Sequence, residues 1–122
     1  MDQPSASPQR SYTRGSQDKA LLAMTIGQAF DNTVAQYPTG EALVVRHQQL
    51  RYTWQQLAEA VDLHAKALLA LGLQTGDRLG IWAPNCAQWC ISQFASAKIG
   101  VILVNINPAY RSSELEYVLK QS

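Results

Sequence analysis

An α/β fold is expected of this chain, on three features of its 122 residues. Apolar residues recur at helical spacing over Ile26, Phe30, Val34 and Tyr37, and again over Leu57, Val61, Leu68 and Leu71. Between those runs lie two short β-rich stretches, EALVVR and LRYT, separated by His47-Gln48-Gln49. Near the end, VILVNI is almost continuously apolar, the pattern of a parallel strand covered on both faces.

The elements follow in order. Residues 1–24 carry Pro4, Pro8, several Ser and Gln and little periodicity, so they read as an arm, with Ala20-Leu21-Leu22 as its expected anchor. Thr25 is placed to cap the first helix, which Pro38-Thr39-Gly40 ends. The two β-rich stretches predict a hairpin, although its turn lacks the favoured Asn-Gly. Thr53-x-x-Gln56 fits a capping box for the second helix, and Gly72 suits the position just past its end. A Gly-Asp turn leads into a strand over Leu79 to Ala83, stopped by Pro84. Asn85 is the expected cap of a third helix running to Ile99, closed by Gly100. Strand, helix and strand then form a βαβ unit. A last helix starts at Ser112 or Ser113, with Ser113-x-x-Glu116 as its capping box. Residues 25–77 are thus expected to begin a first α/β subdomain, and residues 78–122 a second one that is truncated.

Composition narrows the function. Hydrophobic residues are 47% and charged residues 16%, a globular balance. A formal net charge of +1 offers no electrostatic reason for a nucleic-acid partner. No apolar run reaches the roughly 18 residues of a membrane span, and no secretory signal opens the chain. Two cysteines are too few for a disulfide scaffold, so a reduced, cytoplasmic setting is expected.

Candidate chemistry is sparse. Cys86 and Cys90 share a helix face, but two thiols fall short of the four ligands of a zinc site, and His47 and His64 show no matching spacing. No metal site is therefore expected. Gly72, Gly76 and Gly80 follow a helix and precede a strand, the reverse of a phosphate-cradling loop, so cap and turn roles are assigned to them. His47 and His64 are expected on the surface, and Trp54, Trp82 and Trp89 as packing anchors. No acid, base or nucleophile assembles, so no catalytic residue is assigned. The start of the last helix, at Ser112 or Ser113, is one place where free N–H groups could meet an anion. In parallel α/β sheets ligands gather beyond the carboxyl ends of strands. That rule singles out two loops, Ala83-Pro84-Asn85 and Asn105-Ile106-Asn107-Pro108.

Two long stretches carry a family resemblance. LRYTWQQLAEAVDLHAKALLALGLQTGDRLGIWAPN and FASAKIGVILVNINPAYRSSELEYVLKQS resemble the N-terminal portion of the adenylate-forming enzymes, the superfamily of acyl-CoA synthetases, luciferases and peptide-synthetase adenylation domains. Leu50 to Leu57 looks like the family's L-T-Y-x-x-L motif, with Arg51 where Ser or Thr is common. GDRLGIWAPN looks like its Gly-Asp strand, and AKIGVILVNINPAY like its Lys-x-Gly segment ending in Pro. The resemblance runs from Tyr12 to Ser122 and is strongest to medium-chain fatty acyl-CoA synthetases.

The resemblance implies a ligase that converts a fatty acid with ATP and Mg to an acyl-adenylate, and then to acyl-CoA. The phosphate loop, adenine motif, ribose-binding Asp, hinge and C-terminal Lys of that family are not found in these residues. The chain is thus expected to be an N-terminal fragment, inactive and cofactor-free alone, whose partner is the remainder of the enzyme. The closing helix, which lacks a Gly or Asn cap, points the same way. In acetyl-CoA synthetase relatives the loop matching Ile106-Asn107-Pro108-Ala109 lies beside the CoA channel as a Gly-Gly turn. Asn107 is therefore the one candidate cofactor-binding residue, although Asn-Pro departs from that pattern. The alternative is a stand-alone binding or scaffolding module that self-associates through open strand edges.

Overall fold

Local capping sets the first two helices. The computed structural model describes residues 15, 16 and 18–122. α1 spans Ile26–Gln36, and Thr25 caps it: its Oγ1 accepts the Gln28 N–H at 3.2 Å, while its own N–H donates to Gln28 Oε1 at 2.9 Å. α2 spans Trp54–Ala70, and Thr53 with Gln56 repeats the same box. Each box satisfies two otherwise orphaned donors. At the far end of α2, Gly72 N–H donates to Leu69 O at 2.9 Å and Leu73 N–H to Leu68 O at 3.2 Å, the bonding of a Schellman turn. Because α2 stops at Ala70, Leu71 becomes its cap and is 78% exposed, against the expected buried stripe. Leu73, past the turn, packs beside the core instead.

Between these helices, β1 (Glu41–Val45) and β2 (Leu50–Thr53) pair antiparallel, with an irregularity between Glu41 and Leu43. A short 3₁₀ turn, Arg46–Gln48, joins them, and Gln49 closes it in the left-handed region at φ 55°. The core lies where the hairpin and three helices meet: Phe30 of α1, Leu57, Val61, Ala65 and Leu68 of α2, and Ala95 of α3 (Ala87–Ile99). Phe30 stacks on Phe94, with centroids 4.5 Å apart, and meets Trp54 edge-on at 5.9 Å. Small buried residues on α3, namely Ala87, Ser92, Ala95 and Ser96, leave room for α2. α1 also approaches α3 closely, since a Cβ at Gly27 would lie 3.2 Å from Lys98 Cα. Lys98 then ties the three helices, donating to Asp31 of α1 at 2.9 Å and Asp62 of α2 at 2.6 Å. This core draws residues from both sides of position 77.

β3 (Arg78–Trp82) and β4 (Ile102–Ile106) pair in parallel on either side of α3, as the βαβ reading requires. Their entry is fastened by Gly76 N–H to Gly100 O at 2.9 Å and Ile102 N–H to Asp77 O at 2.7 Å. Gly100 turns α3 into β4 at φ 73°, with Thr75 against it. Gly80, expected in a turn, lies inside β3 beneath Ile106. β4 is only partly covered within the described residues: on one face Ile106 is buried while Ile102 is 48% exposed, and on the other Asn105 is exposed. The described sheets hold two strands each, so no further strand flanks it.

Other expectations need correcting. Residues 1–14 and 17 of the expected arm lie outside the described residues. Leu21 is 95% exposed, so Ala20-Leu21-Leu22 is no anchor. α3 is capped at Cys86, not Asn85, and the Cys86 side chain makes no capping bond. α4 spans Ser112–Gln121 with Arg111 as its cap residue, whose N–H donates to Glu114 Oε2 at 3.1 Å. Glu116, the expected box partner, instead pairs with Lys120 one turn on. A cap two residues earlier than Ser113 puts Glu114 at the third position of the helix, where a carboxylate can reach back.

Two stability predictions follow from the helix junctions. Gly100→Ala should cost about 1–2 kcal/mol from the left-handed backbone alone, and more from the added methyl, which would meet Thr75 Cγ2 at 2.8 Å. Urea unfolding of the two forms measures it. Lys98→Met keeps the stem and removes the charge, and should cost about 1 kcal/mol near neutral pH. Burial pulls the Lys98 ammonium down, but Asp62 and Asp31 outweigh it and hold its pKa above the ordinary 10.5. A group raised on folding gives its full contribution below its unfolded value and loses it as pH rises through the folded one. The gap between wild type and variant should thus stay constant up to pH 10.5 and shrink only above it, as thermal melts across a pH series would show.

Candidate functional site

The parallel register sets the carboxyl ends of β3 and β4 side by side, Trp82 opposite Ile106. The loops that leave those ends enclose a cleft of about 560 Å³. One wall is Ala83, Pro84 and Asn85 with Trp89 from the first turn of α3; the other is Asn105, Ile106, Asn107 and Pro108. Both loops singled out in the sequence are therefore brought together.

Asn107 organises its own wall. Its Oδ1 accepts the Ala109 N–H at 3.0 Å, an Asx turn, and its carbonyl accepts the Tyr110 N–H at 3.0 Å. The same carbonyl takes the Trp82 indole N–H at 3.1 Å, which bolts the end of β3 to the loop after β4. With Oδ1 committed to the loop, Nδ2 is the group that Asn107 can offer a ligand. Trp82 is thus 49% exposed and works through its N–H rather than as a buried anchor. Trp89 faces the cleft, and only Trp54 packs against the core cluster.

The opposite wall is held from a distance. The Gln48 side chain accepts the Ala87 N–H at 2.7 Å and donates to Gln88 Oε1 at 2.9 Å, so the hairpin turn caps α3. Periodicity could not have found this, because the partners lie 39 residues apart.

No charged side chain lines the cleft. Phosphate groups and a divalent ion need cations or carboxylates around them, and this donor set does not fit ATP with Mg. Three carboxamides between apolar walls suit a neutral ligand with groups that hydrogen-bond to amides.

Elsewhere, His64 is half-buried and meets Ser92 Oγ through Nε2 at 3.1 Å, against the expected surface position. The pair joins α2 to α3 and opens onto none of the described clefts. His47 is exposed in the hairpin turn. Cys86 and Cys90 are free and half-buried; burial, then Cys86, pushes the Cys90 thiol up, which disfavours the nucleophilic thiolate. No group of three or more metal-ligating side chains occurs among the described residues. At the start of α4 the anion position is already taken. Bonds from its own N–H, the Ser113 hydroxyl and the Arg111 N–H hold the Glu114 carboxyl below the usual range.

Known proteins share this fold. The family model described as AMP-binding enzyme matches residues 30–122. A medium-chain acyl-CoA ligase of Mus musculus (ACSF2, mitochondrial) is 49% identical over 111 residues, covering 91% of this chain and 18% of the relative. A putative acyl-CoA synthetase of Bacillus subtilis, YngI, is 41% identical over 102 residues, covering 84% of this chain and 19% of the relative. Among solved structures, the N-terminal domain of FACL13 from Mycobacterium tuberculosis superposes with a TM-score of 0.78 at 28% identity, over 81% of this chain and 25% of that one. The NpsA N-terminal subdomain of Klebsiella oxytoca, in complex with anthranilyl-AMSN, gives 0.74 at 26% identity, over 79% and 24%. The chain thus spans about a fifth of the length of the curated relatives it matches. On the family match over residues 30–122, the chain belongs to the AMP-binding enzyme family.

Proposed function

We propose that this chain is the N-terminal portion of an ATP-dependent medium-chain fatty acyl-CoA synthetase. The observation that carries the reading is the 49% identity over 111 residues with a medium-chain acyl-CoA ligase. In that reaction a fatty carboxylate attacks the α-phosphate of ATP, giving an acyl-adenylate and pyrophosphate. The CoA thiol then attacks the acyl carbon, giving acyl-CoA and AMP. ATP, Mg and CoA are cofactors of the longer enzyme, and residues 25–77 and 78–122 contribute the beginnings of its two α/β subdomains. The cleft beyond β3 and β4 is read as part of the CoA channel. There Asn107 Nδ2 donates to an amide carbonyl of the pantetheine arm, while the phosphates are neutralised by residues outside this chain. A reduced, cytoplasmic setting belongs to the same proposal, in keeping with two free cysteines.

The chain alone should not adenylate. Phosphate chemistry depends on positioning and charge neutralisation, and the described cleft supplies no charge. Carboxylate-dependent exchange of pyrophosphate into ATP should stay at background for residues 1–122 and appear for the protein encoded by the whole reading frame. Robust exchange by the short chain would overturn the reading.

A second reading rests on the open strands. Trp82 and Ile102 are each about half exposed on a two-stranded sheet. Free edges template association, so a stand-alone chain would pair with a second copy. Light scattering over a concentration series should show dimers or larger species. A monomer throughout, with a sharp cooperative melt, would remove the strand edges as a route to assembly.

A further inference from the structure

The two walls of the cleft are held by different anchors. The Asn105–Pro108 wall is braced by its own turn and by the Trp82 indole. The wall formed by Ala83, Pro84, Asn85 and Trp89 continues into the first turn of α3, whose cap residue Cys86 contributes no side-chain bond. The free donors of a helix start need partners. Here Gln48 provides one, and both ends of its carboxamide are engaged: Oε1 takes the Ala87 N–H and Nε2 reaches Gln88. Ala87 is itself fully buried, so water cannot stand in for that acceptor at no cost. The hairpin turn that carries Gln48 closes through Gln49 in a left-handed conformation, which limits the directions in which position 48 can point.

We infer that Gln48 is a positioning residue for the ligand of this cleft: through Ala87 and Gln88 it sets the distance between the two walls. The inference rests on the cleft being part of the CoA channel. Gln48 touches no ligand and acts only through the start of α3.

The test uses the whole enzyme carrying Gln48→Leu or Gln48→Glu. Leu has a similar size and removes both polar ends. Glu keeps the acceptor for the Ala87 N–H and places a negative charge at a helix N-terminus, where it is favourable. Gln48→Leu should raise the KM for CoA about fivefold, the equivalent of one net hydrogen bond, with kcat and the KM for ATP unchanged. It should also speed amide hydrogen exchange across residues 83–90, and Gln48→Glu should restore both. An unchanged KM for CoA in Gln48→Leu would overturn the inference. So would a parallel rise in KM for CoA, ATP and fatty acid that tracks a lowered melting temperature, since that is general destabilisation. If the wild-type enzyme forms no acyl-CoA, the proposed function fails and exchange alone decides. Faster exchange over residues 83–90, reversed by Glu, then upholds the positioning role, and unchanged exchange overturns it.

Discussion

Everything in this chain hangs on the seam between α2 and α3. Val61 and Ala95 are fully shielded from water, and Leu57, Ala65 and Leu68 extend the seam along α2. Full burial of a Leu or Val side chain stabilises by about 1.5–3 kcal/mol, whereas an exposed ion pair gives about 1 kcal/mol or less. The apolar seam therefore supplies the energy, and Lys98 with Asp31 and Asp62 supplies direction. That division has a structural cause. The small residues of α3 allow close approach but fix little about rotation, and a cation shared by two carboxylates on two helices fixes it.

The seam also explains how a hairpin and a parallel strand pair can belong to one body. The hairpin lies against α2, and β4 packs against α3. Each two-stranded sheet is marginal on its own, so each borrows order from its helix. Among the side chains that cross between the two halves, Gln48 does so at the start of α3, next to the turn that carries Trp89 into the cleft wall. Stability and site geometry thus meet at α3, whose first turn forms a cleft wall while its last turn holds Lys98.

How much of this was legible depended on whether the deciding contact was local. Thr25, Thr53 and Gly72 act on residues within four or five positions, and their roles were readable because capping chemistry is short-range. The cap of α3 was not, because its acceptor arrives from another element. Asn85 looked right by type, yet the chain is still extended at Cys86 and the helix starts one residue later. The cap of α4 was misplaced by two residues because two Glu compete for the third helical position, and spacing cannot rank them. His64 looked like a surface residue until Ser92 was brought across the seam to meet it. The cleft was readable in outline, since strand ends predict where ligands go. The part of Trp82 in it was not, because an indole N–H seeking a carbonyl 25 residues away leaves no trace in periodicity.

The cleft's lack of charge carries the last step. A site that performed adenylation would gather cations around the triphosphate, since phosphate charge unneutralised in a partly enclosed cleft is costly. The described cleft gathers carboxamides, prolines and an indole, groups that recognise shape and amides but stabilise no anion. Such a surface suits the part of a large substrate that does not react. Binding energy from remote parts of a substrate is what orients the reacting centre, and it does so only if the surface that collects it is rigid. Asn107 held by three hydrogen bonds on one wall, and Gln48 holding the other, supply that rigidity. What the described residues offer a ligand at this cleft is thus a stiff, neutral grip.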